Sequence, residues 1–154
     1  MGRKKLIDVT VDQMHETDLS EIVRIERASF PTPWSETLFY NELRKEQAVI
    51  KVARTEIRIA GYIVANQVID EGHILDLAVD PVFRRLGVAS VLVEKIMNHF
   101  KENRCRAIFL EVRASSTGAR RLYEGFGFSV LGIRKRYYSS PEEDAVIMTV
   151  KIDG

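Results

Sequence analysis

The sequence predicts one α/β domain in which helices cover both faces of a mixed β-sheet. The centre of the chain reads as strand, long helix and strand, the order that a parallel strand pair requires. Towards both ends, strand candidates follow one another across short turns, which indicates antiparallel pairing. The 154 residues, 45% of them hydrophobic, fit one domain with its own core, so residues 1–154 are taken as a single domain.

The first 45 residues predict one strand and two helices. Leu6 to Val11 is the strand candidate. Asp18 and Glu21 have the spacing of a capping box and open the first helix. Pro31 and Pro33 end that helix, because a proline disfavours helical geometry at the residue before it.

Ser35 is the candidate N-cap of the second helix, which is expected to run to about Lys45. Trp34 and Phe39 flank the start of this helix at the spacing of a hydrophobic staple. We therefore expect the two rings to be in contact.

An antiparallel meander is predicted next. Its strand candidates are Ala48 to Arg54, Ile57 to Ile69 and His73 to Val79. Glu71 and Gly72 are expected to form the turn between the last two strands.

The second half of the chain predicts two helices and three strands. Apolar residues recur at a period of 3.6 over Val88 to Asn103, which indicates a long helix. Ala107 to Val112 is almost wholly apolar, as a central parallel strand would be. A short helix over Thr117 to Glu124 and two strands, Phe128 to Tyr138 and Ala145 to Ile152, complete the order.

Composition excludes several classes of protein. A net charge of +1 argues against a dedicated nucleic-acid binder. The longest uncharged apolar run, Ile59 to Ile69, is too short to cross a bilayer, and the basic N-terminus lacks the apolar stretch of a signal peptide. Cys105 is the single cysteine, and the three histidines show no metal spacing. We expect a cytoplasmic domain without disulfide or metal, with Cys105 buried.

The loop before the long helix carries the first functional motif, Arg84-x-x-Gly87-x-Ala89. Gly87 permits a tight turn and close approach of a ligand to the backbone. The free N–H groups and the dipole of the helix N-terminus favour an anion there, and Arg84 and Arg85 can add charged hydrogen bonds to a phosphate. An ordinary strand–loop–helix connection with exposed arginines is the alternative.

Two further segments match motifs of a known protein family. They are Leu110-Glu-Val-Arg-Ala-Ser115 and Leu122-Tyr-Glu-Gly-Phe-Gly-Phe128. Together with the first motif they resemble the GCN5-related N-acetyltransferases (GNAT). Tyr137-Tyr138 and Glu143-Asp144-Ala145 narrow the resemblance to the protein N-terminal acetyltransferases, of the ribosomal-protein-alanine and acetyltransferase A types. It covers Leu6 to Ile152 and implies the GNAT fold, a mixed seven-stranded sheet flanked by four helices.

The resemblance implies acetyl-CoA as the acetyl donor. In GNAT proteins the strand before the first motif diverges from its parallel neighbour, which places Leu77, Ala78 and Val79 beside the pantetheine and thioester. Ser116 stands where the family usually has an asparagine that bonds the pantetheine. The pyrophosphate is assigned to seven consecutive residues: Arg84, Arg85, Leu86, Gly87, Val88, Ala89 and Ser90.

Glu111 is the candidate general base, acting directly or through water. An α-amino group has a pKa of about 8, whereas a lysine near 10.4 costs roughly 4.6 kcal/mol to deprotonate at pH 7. Modest base strength therefore suits N-termini better than lysines, and desolvation would raise the pKa of Glu111 towards the working range. A carboxylate bonded to backbone or paired with Arg113 is the alternative.

Tyr123 matches the family tyrosine that protonates the departing thiolate, and it is also expected to contact the cofactor. The alternative is a helix tyrosine that only packs on the sheet. A backbone N–H, expected at Val79, would polarise the thioester carbonyl.

The resemblance implies that the peptide enters between two loops on the side opposite CoA. One loop carries Phe30, Pro31 and Thr32, and Thr32 replaces the glutamate of the acetyltransferase A pattern. The other carries Tyr137 and Tyr138, of which strand alternation predicts one ring buried and one facing the site. His73 is a further candidate near the amine, with an ordinary strand residue as the alternative.

Protein or peptide N-termini are thus the expected partners, with a ribosome or an auxiliary subunit as further candidates and neither membrane nor dedicated nucleic-acid binding. Three other functions stay open. A GNAT enzyme could acetylate lysine, a polyamine or another small amine. A CoA-binding module could lack turnover. The basic clusters at Arg120-Arg121 and Arg134-Lys135-Arg136 could bind nucleic acid, although acidic residues balance them overall.

Overall fold

The computed structural model describes residues 7–152, and its central feature is a seven-stranded mixed sheet. The strands are β1 Thr10–Gln13, β2 Ala48–Arg54, β3 Ile59–Val68, β4 Glu71–Val79, β5 Ala107–Arg113, β6 Ser129–Tyr138 and β7 Glu143–Lys151. Their order across the sheet is β1-β2-β3-β4-β5-β7-β6. β4 and β5 pair in parallel, and the other neighbours pair antiparallel. The predicted fold is confirmed.

Four α-helices cover the two faces of the sheet. They are α1 Leu19–Ser29, α2 Glu36–Leu43, α3 Val88–Glu102 and α4 Thr117–Gly125. On one face, Leu92, Ile96 and Phe100 of α3 pack into a cluster that also contains Tyr123 and the buried Cys105. On the other face, α1 and α2 pack on the sheet in a second cluster built around Ile22, Ile25, Phe39 and Tyr62. None of the helices described is long and apolar enough to span a bilayer.

The start of the chain differs from the prediction. β1 is Thr10–Gln13 rather than Leu6 to Val11, of which Leu6 lies outside the described residues. The expected capping box of Asp18 with Glu21 is wrong, because Asp18 bonds backwards and accepts from the N–H of His15 at 2.8 Å. Arg54 also donates two bonds to this carboxyl and lowers its pKa. A 3₁₀ turn therefore precedes α1.

The turn between β3 and β4 lies two residues earlier than predicted. Ile69 and Asp70 form it, with Ile69 in the left-handed region at φ 57°. Gly72 lies in β4 instead, where an added Cβ would come within 2.6 Å of the Phe100 ring. This glycine therefore serves the close packing of α3 on the sheet and does not form the turn.

The other boundaries agree closely with the sequence pattern. Ser35 caps α2, accepting from the N–H of Leu38 at 3.1 Å, and Trp34 lies 5.1 Å from Phe39 between ring centroids. α2 ends at Leu43, two residues before the predicted end, and β3 begins at Ile59 rather than Ile57.

Candidate active site

The site is a gap between two strands that separate. β4 and β5 pair over Glu71–Ile74 and Ala107–Leu110, and beyond these residues both strands continue unpaired with each other. A cavity of about 580 Å³ opens there. Its walls come from both strands, from α1 and the α1–α2 loop, and from the end of β6 and α4. They include Glu26, Asp76, Glu111, Ser116, Tyr123 and Tyr138.

The backbone of β4 presents hydrogen-bonding groups to this gap. The N–H of Asp80 donates to the carbonyl of Ala60 on β3 at 2.8 Å. Because backbone groups alternate in direction along a strand, the N–H and carbonyl of Val79 point the other way, into the gap. Arg84 Nε donates to that Val79 carbonyl at 3.2 Å. This geometry fits the expected place of Val79 beside a thioester.

The loop after β4 has the conformation of an anion site. Gly87 is the N-cap of α3 at φ 83°, and Arg85 is also left-handed at φ 64°. The first N–H groups of a helix have no partner within it, and those of Val88, Ala89 and Ser90 follow directly here. Arg84 and Arg85 are exposed beside them. These features fit the pyrophosphate of a CoA molecule.

We expect Gly87→Val to weaken CoA binding about tenfold, because a β-branched side chain at φ 83° strains the loop that presents the N–H groups. Calorimetric titration with CoA measures this change. Gly132→Val is the control, since an added Cβ there meets no atom within 4 Å. An unchanged CoA affinity in Gly87→Val would remove this loop from the binding site.

Tyr123 lies in the cavity wall and is 3% exposed. Its ring packs edge-on against Phe128 at 5.4 Å between centroids. Burial raises the pKa of the phenol, so the hydroxyl stays protonated at neutral pH. Ser116 also lines the cavity, and as N-cap of α4 it makes no side-chain capping bond. Its hydroxyl is therefore available to a ligand.

Glu111 also lines the cavity, but it is less buried than expected. Its side chain is 27% exposed, and its Oε1 lies 3.4 Å from Nε of Arg134. Arg113, the partner considered from sequence, bonds the Pro141 carbonyl and lies 3.4 Å from Glu143. Glu111 thus faces the cavity beside a cation on β6.

The two predicted entrance loops are in contact with each other. Thr32 Oγ1 donates to the carbonyl of Ser140 at 3.1 Å, joining the α1–α2 loop to the β6–β7 turn. Phe30 and Pro31 line the cavity on one side of this contact.

Both Tyr137 and Tyr138 line the cavity, so the expectation of one buried ring is wrong. The β6–β7 register shifts between Arg134 and Tyr138, and Arg136 is left-handed at φ 54°. This bulge breaks the alternation and turns both rings to one side, 5.2 Å apart and edge-to-face.

His73 lies outside this cavity. It lines an adjoining groove of about 710 Å³ that shares Glu111 and both tyrosines with the cavity. The imidazole stacks on Phe109 at 5.7 Å, and its Nε2 is 3.4 Å from Glu71. The geometry places His73 in the adjoining groove rather than at the strand gap.

Two acids in the cavity wall, one buried and one half-buried, were not predicted from sequence. Glu26 lies on the buried face of α1 and is 1% exposed, and Asp76 interrupts the apolar residues of β4. The signal was present, because a carboxylate at an apolar position of an amphipathic pattern needs a partner. Over residues 7–152, no three potential metal ligands cluster.

An interrupted parallel pair with an anion loop at its edge is suited to hold an extended, phosphate-bearing ligand against the sheet. The model of the acetyltransferase (GNAT) family matches residues 19–128. The chain therefore belongs to the GNAT acetyltransferase family.

Relatives and solved structures agree with this assignment. The [ribosomal protein bS18]-alanine N-acetyltransferase of Salmonella typhimurium is 33% identical over 145 residues, 93% of this chain and 97% of that protein. The Escherichia coli ribosomal-protein-S18-alanine N-acetyltransferase superposes with a TM-score of 0.89 at 31% identity, covering 96% of each chain. Ard1 from Thermoplasma volcanium gives 0.89 at 26% identity, covering 96% of this chain and all of that one.

Proposed function

We propose that this chain transfers the acetyl group of acetyl-CoA to the free α-amino group of a protein. The observation that carries the proposal is the cavity at the β4–β5 gap, which has Tyr123 and Glu111 in its wall and is bridged at its mouth by Thr32 and Ser140. CoA would lie along the gap side of β4, with its pyrophosphate on the loop around Gly87.

The residues of the cavity divide the chemistry among them. Acetyl transfer forms a bond from the amine nitrogen to the acetyl carbon, breaks the bond from that carbon to sulfur, and leaves a thiolate that needs a proton. Tyr123 donates that proton, and Glu111 accepts a proton from the nitrogen, directly or through water. The N–H of Val79 polarises the carbonyl that is attacked.

The acceptor is proposed to be an N-terminus because aromatic rings line the cavity beside Glu111. Phe30, Tyr137 and Tyr138 would contact the first residues of a peptide whose α-amine reaches that carboxylate. The relatives named for alanine N-acetylation of a ribosomal protein support a ribosomal-protein substrate here and action in the cytoplasm.

A mixed peptide assay tests this function. Peptides that vary in their first residue, with N-blocked peptides carrying an internal lysine as controls, are incubated with acetyl-CoA and read by mass spectrometry. We expect acetate on free N-termini alone. Acetate mainly on lysine would move the chain to another GNAT activity, and CoA binding without transfer to any peptide or small amine would contradict the proposed function.

A further inference from the structure

Glu26 and Asp76 form a carboxyl pair in the cavity wall. Glu26 accepts from the Tyr62 hydroxyl at 2.5 Å and from the Trp34 N–H at 2.9 Å. Asp76 Oδ1 accepts from the Leu77 N–H, while its Oδ2 is buried with no donor among the described residues. Both carboxyls line the same cavity, and Glu26 is the neighbouring acid that raises the pKa of Asp76.

Two neighbouring carboxyls at a buried site favour retention of one proton, because two like charges there repel each other. Both oxygens of Glu26 already accept hydrogen bonds from donors. Burial and the neighbouring Glu26 raise the pKa of Asp76 well above its usual range, so Asp76 carries the proton. The pair thus keeps one net negative charge.

Glu26 has no cationic partner, unlike every other buried acid in residues 7–152. Asp18 pairs with Arg54, Asp80 with Arg24 and Glu42 with Lys45. The donors to Glu26 and Asp76 are all neutral. A buried charge without a counter-ion is costly, and this one borders a cavity that a cation can enter.

The proposed reaction removes two protons from the acceptor nitrogen. The first converts the α-ammonium to the amine, and the second leaves as the bond from nitrogen to carbon forms. The product nitrogen carries one hydrogen, the thiolate receives one proton, and one proton reaches solvent. Glu111 accounts for one of these two transfers, so the other proton goes either to solvent before binding or to a second acceptor in the cavity.

We propose that the Glu26–Asp76 pair binds the α-ammonium group of the acceptor and takes its first proton. Glu111 then takes the second, and Tyr123 supplies the proton of the thiol. This inference rests on the proposed function and adds the group that selects a cationic acceptor. The titratable or charged groups that face the pair or line the same cavity are Tyr62, Glu111, Arg113, Tyr123, Tyr137 and Tyr138.

The test compares kcat/KM with a peptide acceptor from pH 6 to 9.5. In the double variant Glu26→Gln/Asp76→Asn only the neutral amine reacts, because no buried acceptor remains. With an α-amine pKa near 8, its rate relative to wild type is expected to fall about tenfold at pH 7 and about 100-fold at pH 6, and to recover by pH 9. Each single variant keeps one carboxylate and is expected to lose much less.

Two comparisons separate this role from others. Glu42→Gln removes a buried carboxylate outside the cavity and is expected to leave the pH profile unchanged. Glu111→Gln is expected to lower the rate by a similar factor at every pH. A double variant that loses the same factor at all pH values, or nothing, would overturn the proposal, as would the pH-dependent loss appearing in Glu111→Gln alone.

A binding measurement on the wild-type protein needs neither folding of the variants nor acetyl transfer. With CoA present at pH 7, an ordinary peptide is expected to bind at least about tenfold more tightly than the des-amino peptide, in which hydrogen replaces the α-amino group. Equal affinities would refute recognition of the ammonium group. Failure of transfer with this difference intact would instead refute the proposed function.

Discussion

Tyr123→Phe is expected to lower kcat for acetyl transfer by about 10²- to 10⁴-fold, the usual range for loss of a general acid. The substitution removes the hydroxyl but keeps the ring that packs on Phe128, so the fold and CoA binding are expected to persist. Because the pKa of Tyr123 is raised, wild-type activity is not expected to fall between pH 8 and 9.5 through ionisation of this phenol. Steady-state kinetics and calorimetry with CoA measure these effects.

Tyr40→Phe is the matched control. Tyr40 lies on α2 outside the cavity, where its hydroxyl accepts from Arg44 at 2.9 Å. Unchanged kinetics are expected for this variant. If Tyr123→Phe loses less than about fivefold in kcat, the thiolate obtains its proton elsewhere, and the tyrosine only packs on the sheet.

Phe100→Ala is expected to lower the free energy of unfolding by about 3–5 kcal/mol, the usual cost of truncating a fully buried phenylalanine. Phe100 fills the space above Gly72, where backbone and ring are in close contact, so truncation leaves a void that the glycine cannot fill. The melting temperature is expected to fall by roughly 6–20 °C.

Denaturant unfolding followed by circular dichroism measures the loss. Ile57→Ala is the comparison, because Ile57 is 91% exposed and is expected to change stability by no more than about 0.5 kcal/mol. A loss below about 1 kcal/mol for Phe100→Ala would mean that the core closes around the void.

Much of the fold was predictable because its elements follow simple periods. α3 begins at the predicted residue, since an apolar face of period 3.6 coincides with a glycine N-cap. The β3–β4 turn was not predictable from local pattern. In sequence, Gly72 looks like a turn residue. In the structure, the ring of Phe100, 28 residues away, occupies the space that a side chain at Gly72 would fill, and only the tertiary structure reveals this contact.

The candidate site was likewise predictable only in part. Glu111 and Tyr123 could be named from motifs, and the structure places both in one cavity. The shared orientation of Tyr137 and Tyr138 depends on a bulge centred near Arg136, which no alternation pattern contains. The Glu26–Asp76 pair joins α1 to β4 across 50 residues, so its partners were invisible until the chain was folded.

Because the parallel ladder between β4 and β5 is short, the rigidity of the sheet at the gap is expected to depend on whether a ligand is bound there. Four register pairs join the half that contains β1–β4 to the half that contains β5–β7. Past them, the Val79 amide has no neighbouring strand on its gap side, so it is expected to exchange with solvent far faster than amides within the β2–β3 ladder. A pantetheine arm bonded there would take the place of the missing strand and slow that exchange. The bound acetyl donor would then act as a temporary eighth strand of the sheet, and the fold would be more rigid when CoA is bound than when it is absent.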